Sequence, residues 1–197
     1  MSQRTVGILI FNEVEVLDFA GPFEVFSLAT LPDSDIKPFI VETISEDGEM
    51  ISARNGLKVT PDYSFNNHPK LDIIIIPGGY GAEEIEINNP KVIQWIEKQQ
   101  SKTEFMTSVC TGAFLLAKSG LLNGKRATTH WMDIDRLEND FPLVSVLRDV
   151  KFIDEGSIIT SGGISAGINM SFHLISRIYG KSVSKEIAKR MEYDIKL

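Results

Sequence analysis

Residues 72–81 read DIIIIPGGYG, and this stretch decides the fold. Four consecutive isoleucines form a short apolar run of β-branched side chains, which predicts a strand. Because every position is apolar, the strand is expected to be buried on both faces, as in a parallel sheet that helices cover on either side. The glycines that follow predict a tight turn at the carboxyl end of this strand.

Strand and helix patterns alternate on both sides of this stretch. Short apolar runs predict strands at 6–11, 39–45 and 104–109, and longer segments predict helices at 92–99, 113–118, 131–139, 165–179 and 183–191. Gly21-Pro22 predicts the start of another helix, since proline suits the first helical position. Asn55-Gly56 and residues 154–156 predict hairpin turns. Together these patterns predict one doubly wound α/β domain over residues 1–197, with a mostly parallel sheet and helices on both faces.

Composition and charge exclude several classes of protein. Hydrophobic residues make up 43% of the chain and charged residues 24%, which is ordinary globular usage and excludes intrinsic disorder. Cys110 is the only cysteine, so the chain is no disulfide scaffold. The longest apolar runs are far too short for a membrane helix, and the N-terminus lacks a signal-peptide pattern. We therefore expect a cytoplasmic protein with no membrane partner.

The charge balance argues against nucleic acid as a partner. Twenty basic residues stand against twenty-seven acidic ones, giving a net charge of −7 with the two signs interspersed. The densest basic segment, residues 181–190, is diluted by Glu186 and fits the solvated face of a helix. Nucleic-acid binding normally needs a basic stripe that contacts phosphates, so direct binding is not expected.

Cys110 stands at the point where a strand pattern gives way to a helix pattern. In Ser108-Val109-Cys110-Thr111-Gly112, small residues lie two positions before and two after the cysteine. This is the pattern of a nucleophile elbow, in which a tight turn excludes bulky neighbours and holds the nucleophile in sparsely populated dihedrals. A buried structural cysteine is the alternative. The strand–turn–helix context favours a reactive thiol, and the helix N-terminus favours its ionised form.

Three further groups are candidates for the same cleft, because sites form at the carboxyl ends of parallel strands. Asp18 and Glu24 follow the first strand, and either carboxylate is an acid for the site or a helix cap. Gly79 belongs to a loop that lacks a phosphate-binding motif; it is either a plain turn or a donor to an oxyanion. His130 lies at another predicted strand end. The three histidines show no metal-ligand spacing, so no metal site is expected.

Longer motifs carry a family resemblance over residues 4 to about 192. VLDFAGPFEVF, IIIIPGGYG, SVCTGAFLLA with its continuation to ATTHW, and TSGGISAGIN together resemble the ThiJ/PfpI superfamily. Within it the chain is similar to isonitrile hydratases and to the sensor domains of AraC-type regulators. The resemblance implies a flavodoxin-like fold, a homodimer and a small-molecule substrate or ligand, with no cofactor.

The resemblance also implies roles for individual residues. Cys110 matches the nucleophile, Asp18 the active-site acid, and Thr111 the residue after the nucleophile, where protease-like members carry histidine. Gly79 and Thr111 match backbone donors that face the nucleophile, and His130 matches a histidine near it. Hydratase-like members often carry aspartate where this chain has Asn169.

Three functions remain open from the sequence. The first is an isonitrile hydratase-like lyase, which converts R–N≡C and water into an N-substituted formamide with one cysteine and one carboxyl. The second is a non-catalytic sensor; since the sequence ends at Leu197, no helix-turn-helix segment is expected in this chain. The third is a thiol hydrolase, glyoxalase or redox-responsive protein using the same cysteine.

Two structural predictions follow for the pair Asp18 and Cys110. The cysteine should hold sparsely populated dihedrals, and an Asp18 carboxyl oxygen should lie within hydrogen-bond reach of its sulfur or one water away. Two adjacent negative charges repel, so one of the two groups should hold a proton. The helix N-terminus at residue 111 predicts a thiolate with the proton on Asp18.

Overall fold

Among the residues that the structure describes, the central sheet has seven strands. The computed structural model describes residues 3–31 and 34–195. The strands are β1 (Arg4–Leu9), β2 (Phe39–Ser45), β3 (Ile51–Ser52), β4 (Lys58–Val59), β5 (Tyr63–Ser64), β6 (Ile73–Ile76), β7 (Phe105–Ser108), β8 (Arg126–Ala127), β9 (Ser145–Val146), β10 (Phe152–Asp154) and β11 (Ile158–Ser161). The central sheet runs in the order β10-β11-β7-β6-β1-β2-β5, and within the described part of the chain only β10 is antiparallel to its neighbour.

Helices surround this sheet, so the predicted α/β architecture with a mostly parallel sheet is confirmed. They are α1 (Val16–Leu28), α2 (Pro90–Gln100), α3 (Gly112–Lys118), α4 (Ile134–Asp140), α5 (Ala166–Tyr179) and α6 (Lys181–Arg190). Within residues 3–31 and 34–195, none of them is long and apolar enough to cross a membrane.

The isoleucine strand lies at the centre of the core. All four side chains of β6 are fully buried, because β1 and β7 flank the strand and helices cover both faces. Ile76 pairs with Ser108, so the carboxyl ends of β6 and β7 lie side by side. The fold therefore brings the glycine-rich loop after β6 next to the loop that contains Cys110.

Helix α1 begins five residues earlier than predicted, at Val16, and contains Pro22 in its interior. Proline removes only one intrahelical hydrogen bond, the one to the carbonyl of Asp18. Packing outweighs that loss, because Phe19 is buried and Gly21 lies against Ile168 of α5. The prediction that Gly21-Pro22 starts the helix was wrong, and Asp18 lies in the first turn of α1 rather than in a loop.

Other local predictions are confirmed at the two hairpins and at α6, and in part at 131–139. Antiparallel pairs form at both predicted hairpins, β3 with β4 and β10 with β11. The predicted helix at 131–139 is a single 3₁₀ turn, Trp131–Asp133, followed by α4. The basic residues of α6 are exposed, which confirms a solvated helix face over 181–190.

Candidate active site

Cys110 lies in a sharp turn between β7 and α3. Its φ of 54° is in the left-handed region, which side chains with a Cβ rarely adopt, so the predicted elbow conformation is confirmed. A Cβ on Gly112 would collide with the carbonyl oxygen of Ile76, which explains the small residue two positions after the cysteine. The thiol side chain is only 6% exposed.

The glycine loop after β6 packs directly against this elbow. A Cβ at Gly78 would collide with the backbone nitrogen of Thr111. Gly79 has a φ of 108°, and its amide donates a hydrogen bond to Thr111 Oγ1 at 2.9 Å. The prediction that the Gly79 amide faces the nucleophile therefore needs correction, because that N–H is already bonded to the threonine hydroxyl. Gly79 instead fixes the position of Thr111.

Asp18 reaches this loop from the first turn of α1. It is fully buried, and its Oδ2 accepts a hydrogen bond from the amide of Gly78 at 2.9 Å. The second oxygen, Oδ1, is buried and has no hydrogen-bond partner among the described residues. The carboxyl therefore does not cap a helix starting near Gly21, which was the structural alternative for this residue.

Asp18 and Cys110 interact electrostatically inside this buried space. Burial raises the pKa of Asp18 to about 7, against the lowering effect of the Gly78 amide and of a polar contact with the Cys110 thiol. Burial also raises the pKa of the Cys110 thiol, and the charge of Asp18 raises it further. The two groups are thus electrostatically coupled, and the hydrogen-bond distance between the Asp18 carboxyl and the Cys110 sulfur stays a prediction.

The predicted thiolate, in contrast, was wrong in direction. Helix α3 has seven residues, and its N-terminal amide at Thr111 lowers the pKa of the thiol less than burial and the Asp18 charge raise it. At neutral pH the proton therefore resides on sulfur, and Asp18 is poised between its two forms.

The loop after β11 completes the surroundings of the thiol and was not identified from the sequence as part of the site. Ile164 has a φ of 50°, and its backbone amide interacts with the Cys110 sulfur and lowers the pKa of the thiol. The carbonyl of Gly162 accepts the amide of Cys110 at 3.2 Å. The sequence does contain a signal for this loop, because Gly162-Gly163 follows β11, and the carboxyl end of β11 lies beside that of β7.

His130 lies beside this loop, at the border of a cleft of about 650 Å³. Its Nδ1 is 3.2 Å from Asp133 Oδ2, and its ring leaves no room for a Cβ on Gly163. The preceding Thr129 donates its hydroxyl to the Cys110 carbonyl at 2.8 Å. Thr129, His130 and Ile164 line the cleft, which places it next to the nucleophile.

Two acidic residues differ in their relation to the site. Glu24 is exposed on α1, which contradicts its capping role, because the helix starts at Val16. Glu83, which the sequence did not single out, lies near the Thr111 side chain. Burial, followed by the charge of Asp133, raises the pKa of Glu83. No cluster of three or more metal-ligating side chains occurs in residues 3–31 and 34–195.

The chain is similar in sequence to a known family and to a characterised protein. The model of the DJ-1/PfpI family matches residues 4–177. The isonitrile hydratase of Pseudomonas putida is 34% identical over 188 residues, which cover 95% of this chain and 78% of that protein.

The chain is also similar to a transcriptional regulator in sequence and to a solved structure in fold. The HTH-type transcriptional regulator GbdR of Pseudomonas aeruginosa is 28% identical over 191 residues; these are 97% of this chain and 51% of the regulator, so the chain spans about half its length. The crystal structure of a ThiJ/PfpI family protein from Pseudomonas syringae superposes with a TM-score of 0.87 at 21% identity. That superposition covers 100% of this chain and 78% of the other chain.

Proposed function

The chain belongs to the DJ-1/PfpI family, and we propose that within it this protein is an isonitrile hydratase-like lyase. The observation that carries the proposal is the buried pair of Cys110 and Asp18, in which one carboxyl oxygen has no partner among the described residues. A nucleophile and a carboxyl with a pKa near neutrality suffice to hydrate an isonitrile.

The first step forms a thioimidate. The Cys110 sulfur attacks the terminal carbon of R–N≡C and passes its proton to Asp18 Oδ1, which then delivers it to the attacked carbon. The product is R–N=CH–S–Cys110, and no atom is left over. The amides of Thr111 and Ile164 stabilise the negative charge that develops on sulfur during proton transfer.

The second step releases the formamide. Asp18, again ionised, takes a proton from a water molecule as the water oxygen attacks the thioimidate carbon, and it passes this proton to the nitrogen. The hydroxyl proton of the resulting R–NH–CH(OH)–S–Cys110 then moves through Asp18 to the sulfur as the C–S bond breaks, which gives R–NH–CHO and returns the thiol of Cys110. Each step uses only Cys110, Asp18, backbone amides and water.

A sensor without catalytic activity is the second candidate function. The similarity to a transcriptional regulator extends over 97% of this chain. A thiol hydrolase or glyoxalase is the third candidate and would use the same elbow.

Assay of the purified protein separates these functions. An alkyl isonitrile should give the N-alkyl formamide, detected by mass spectrometry, and Cys110→Ser should lower the rate by about 10³-fold or more. Conversion of methylglyoxal or of a peptide amide, without isonitrile hydration, would favour the third function. No turnover of any of them, with saturable binding, would favour the sensor.

We also propose that the protein acts as a homodimer in the cytoplasm. Leu17 and Phe23 of α1 are 39% and 37% exposed, so they provide apolar surface for a second copy. Light scattering at micromolar concentration checks the dimer, and a mass near 21.9 kDa contradicts it. A lone catalytic thiol fits the reducing conditions of the cytoplasm.

A further inference from the structure

A second cavity lies away from the elbow, between β10, α5 and the start of α6. Its volume of about 660 Å³ is in the range of ordinary small-molecule sites. Neither Cys110 nor Asp18 lines it, so the chemistry proposed above does not account for it.

The walls of this cavity are mostly apolar and partly aromatic. The apolar side chains that line it include Phe152 and Ile195, and the fully buried Phe172 lies beneath them. The ring of Phe152 lies against the ring of His173, with centroids 4.6 Å apart. A flat apolar group of one or two rings matches such walls, because it buries surface against them without leaving polar atoms unsatisfied.

The charges at the cavity all have one sign. Lys151, Arg177 and Lys181 line it, and no acidic side chain among the described residues does so, although the chain as a whole carries −7. Arg177 is held by Asp154 at 2.9 Å. Lys151 and Lys181 are exposed and form no ion pair within the described part of the chain. Two cations are therefore available to an anionic ligand.

We propose that this cavity binds a small aromatic carboxylate. The ring lies against Phe152 and Ile195, and the carboxylate lies toward the ammonium groups of Lys151 and Lys181. This ligand site is distinct from the substrate site beside Cys110.

The cavity shares a wall with the cleft next to His130. Lys151 and Asn169 line both, and Lys151 Nζ donates a hydrogen bond to Asn169 Oδ1 at 3.3 Å. A carboxylate that takes Lys151 competes with Asn169 for the same donor. Binding in the second cavity therefore acts on a side chain of the wall between the two sites.

Calorimetry in the Cys110→Ser variant tests the binding independently of any turnover. The probe is 2-naphthoate, and 2-naphthamide is its uncharged isostere. We expect saturable binding of one naphthoate per chain, about fivefold tighter than the amide. Equal affinity for the two compounds, or no saturable binding of naphthoate, would overturn the proposal.

Two double variants locate the charge effect. Lys151→Gln/Lys181→Gln should abolish the preference for the anion, whereas Lys98→Gln/Lys102→Gln, which removes two exposed lysines elsewhere, should retain it. The opposite pattern contradicts the assignment. Ser176→Leu, which fills the cavity, should weaken both compounds; unchanged binding would place the ligand elsewhere.

Discussion

Two aspartates in this protein experience opposite environments. Asp18 is fully buried beside Cys110, with one amide donor and no cation in contact among the described residues, and burial raises its pKa to about 7. Asp154, at the antiparallel edge of the sheet, lies 2.7 Å from His173 Nε2 and 2.9 Å from Arg177. Burial raises the pKa of Asp154, but the hydrogen bonds from His173 and Gly156 and the charge of Arg177 outweigh it, so the net shift is downward.

The difference separates a carboxyl suited to chemistry from one suited to structure. A carboxyl near neutrality can both take and give a proton at the pH of the cell, which general acid–base catalysis requires. A carboxylate that is hydrogen-bonded to an imidazole and paired with a guanidinium stays ionised and ties segments together; Asp154 joins the β10–β11 hairpin to α5 in this way.

The pH dependence of stability provides the largest test of this contrast. The pKa of Asp18 is higher in the folded chain than in the unfolded one, so its favourable contribution is present below about pH 4 and is lost as the pH rises through 7. The loss is on the order of 4 kcal/mol. Urea unfolding of the natural protein and of Asp18→Asn should show the variant gaining relative stability between pH 4 and 8. A constant difference across that range contradicts the raised pKa.

Turnover provides the next test. In Asp18→Asn the amide oxygen still accepts from Gly78, but the side chain no longer carries a proton, so hydration should slow by about 100-fold or more. Steady-state assays at neutral pH measure this. Glu24→Gln is the matched control and should leave the rate unchanged, because Glu24 is exposed. If instead Glu24→Gln is slow and Asp18→Asn is normal, the roles of the two acids must be exchanged.

Alkylation of the thiol gives a smaller effect of the opposite sign. The charge of Asp18 raises the pKa of Cys110, so Asp18→Asn should increase the thiolate fraction and speed the reaction with iodoacetamide. We expect about a tenfold increase at pH 8, followed by mass spectrometry. Slower alkylation in this variant would mean that the carboxylate assists ionisation of the thiol.

The smallest effect is expected at Asp154. Asp154→Asn weakens pairs that are partly exposed, so the melting temperature should fall by about 1–3 °C at neutral pH, and turnover should not change. Because the pKa of Asp154 is lowered, this loss should diminish as the pH falls below the ordinary range of carboxyls. A melting temperature that depends on Asp154 equally at acidic pH would argue against an ionic role.

The sequence predicted the parts of the site that depend on local pattern. The isoleucine strand, the glycine loop and the elbow at Cys110 follow from burial and from the space around Gly78 and Gly112. The start of α1 did not follow, because tertiary packing against α5 decides it over the preference of Pro22. The role of Ile164 was also missed, since its amide meets the thiol only through the pairing of β11 with β7.

The charge state of the thiol was mispredicted for a related reason. The expectation rested on one local feature, the helix N-terminus at residue 111. Burial and the carboxylate of Asp18 come from elements distant in the chain, and they dominate. Electrostatics at a buried site add contributions from every side, which a linear pattern does not contain.

Cys110 carries the only sulfhydryl group in 197 residues, so a thiol-specific label reports on this one site. Stoichiometric labelling counts competent molecules in a preparation, so specific activity can be expressed per intact centre. Because the sulfur is almost completely buried, the ratio of labelling rates in native and denatured chains also measures how often the surrounding loops open. Labelling of this one sulfur atom thus measures both the competent fraction of a sample and the local opening of the loops around Cys110.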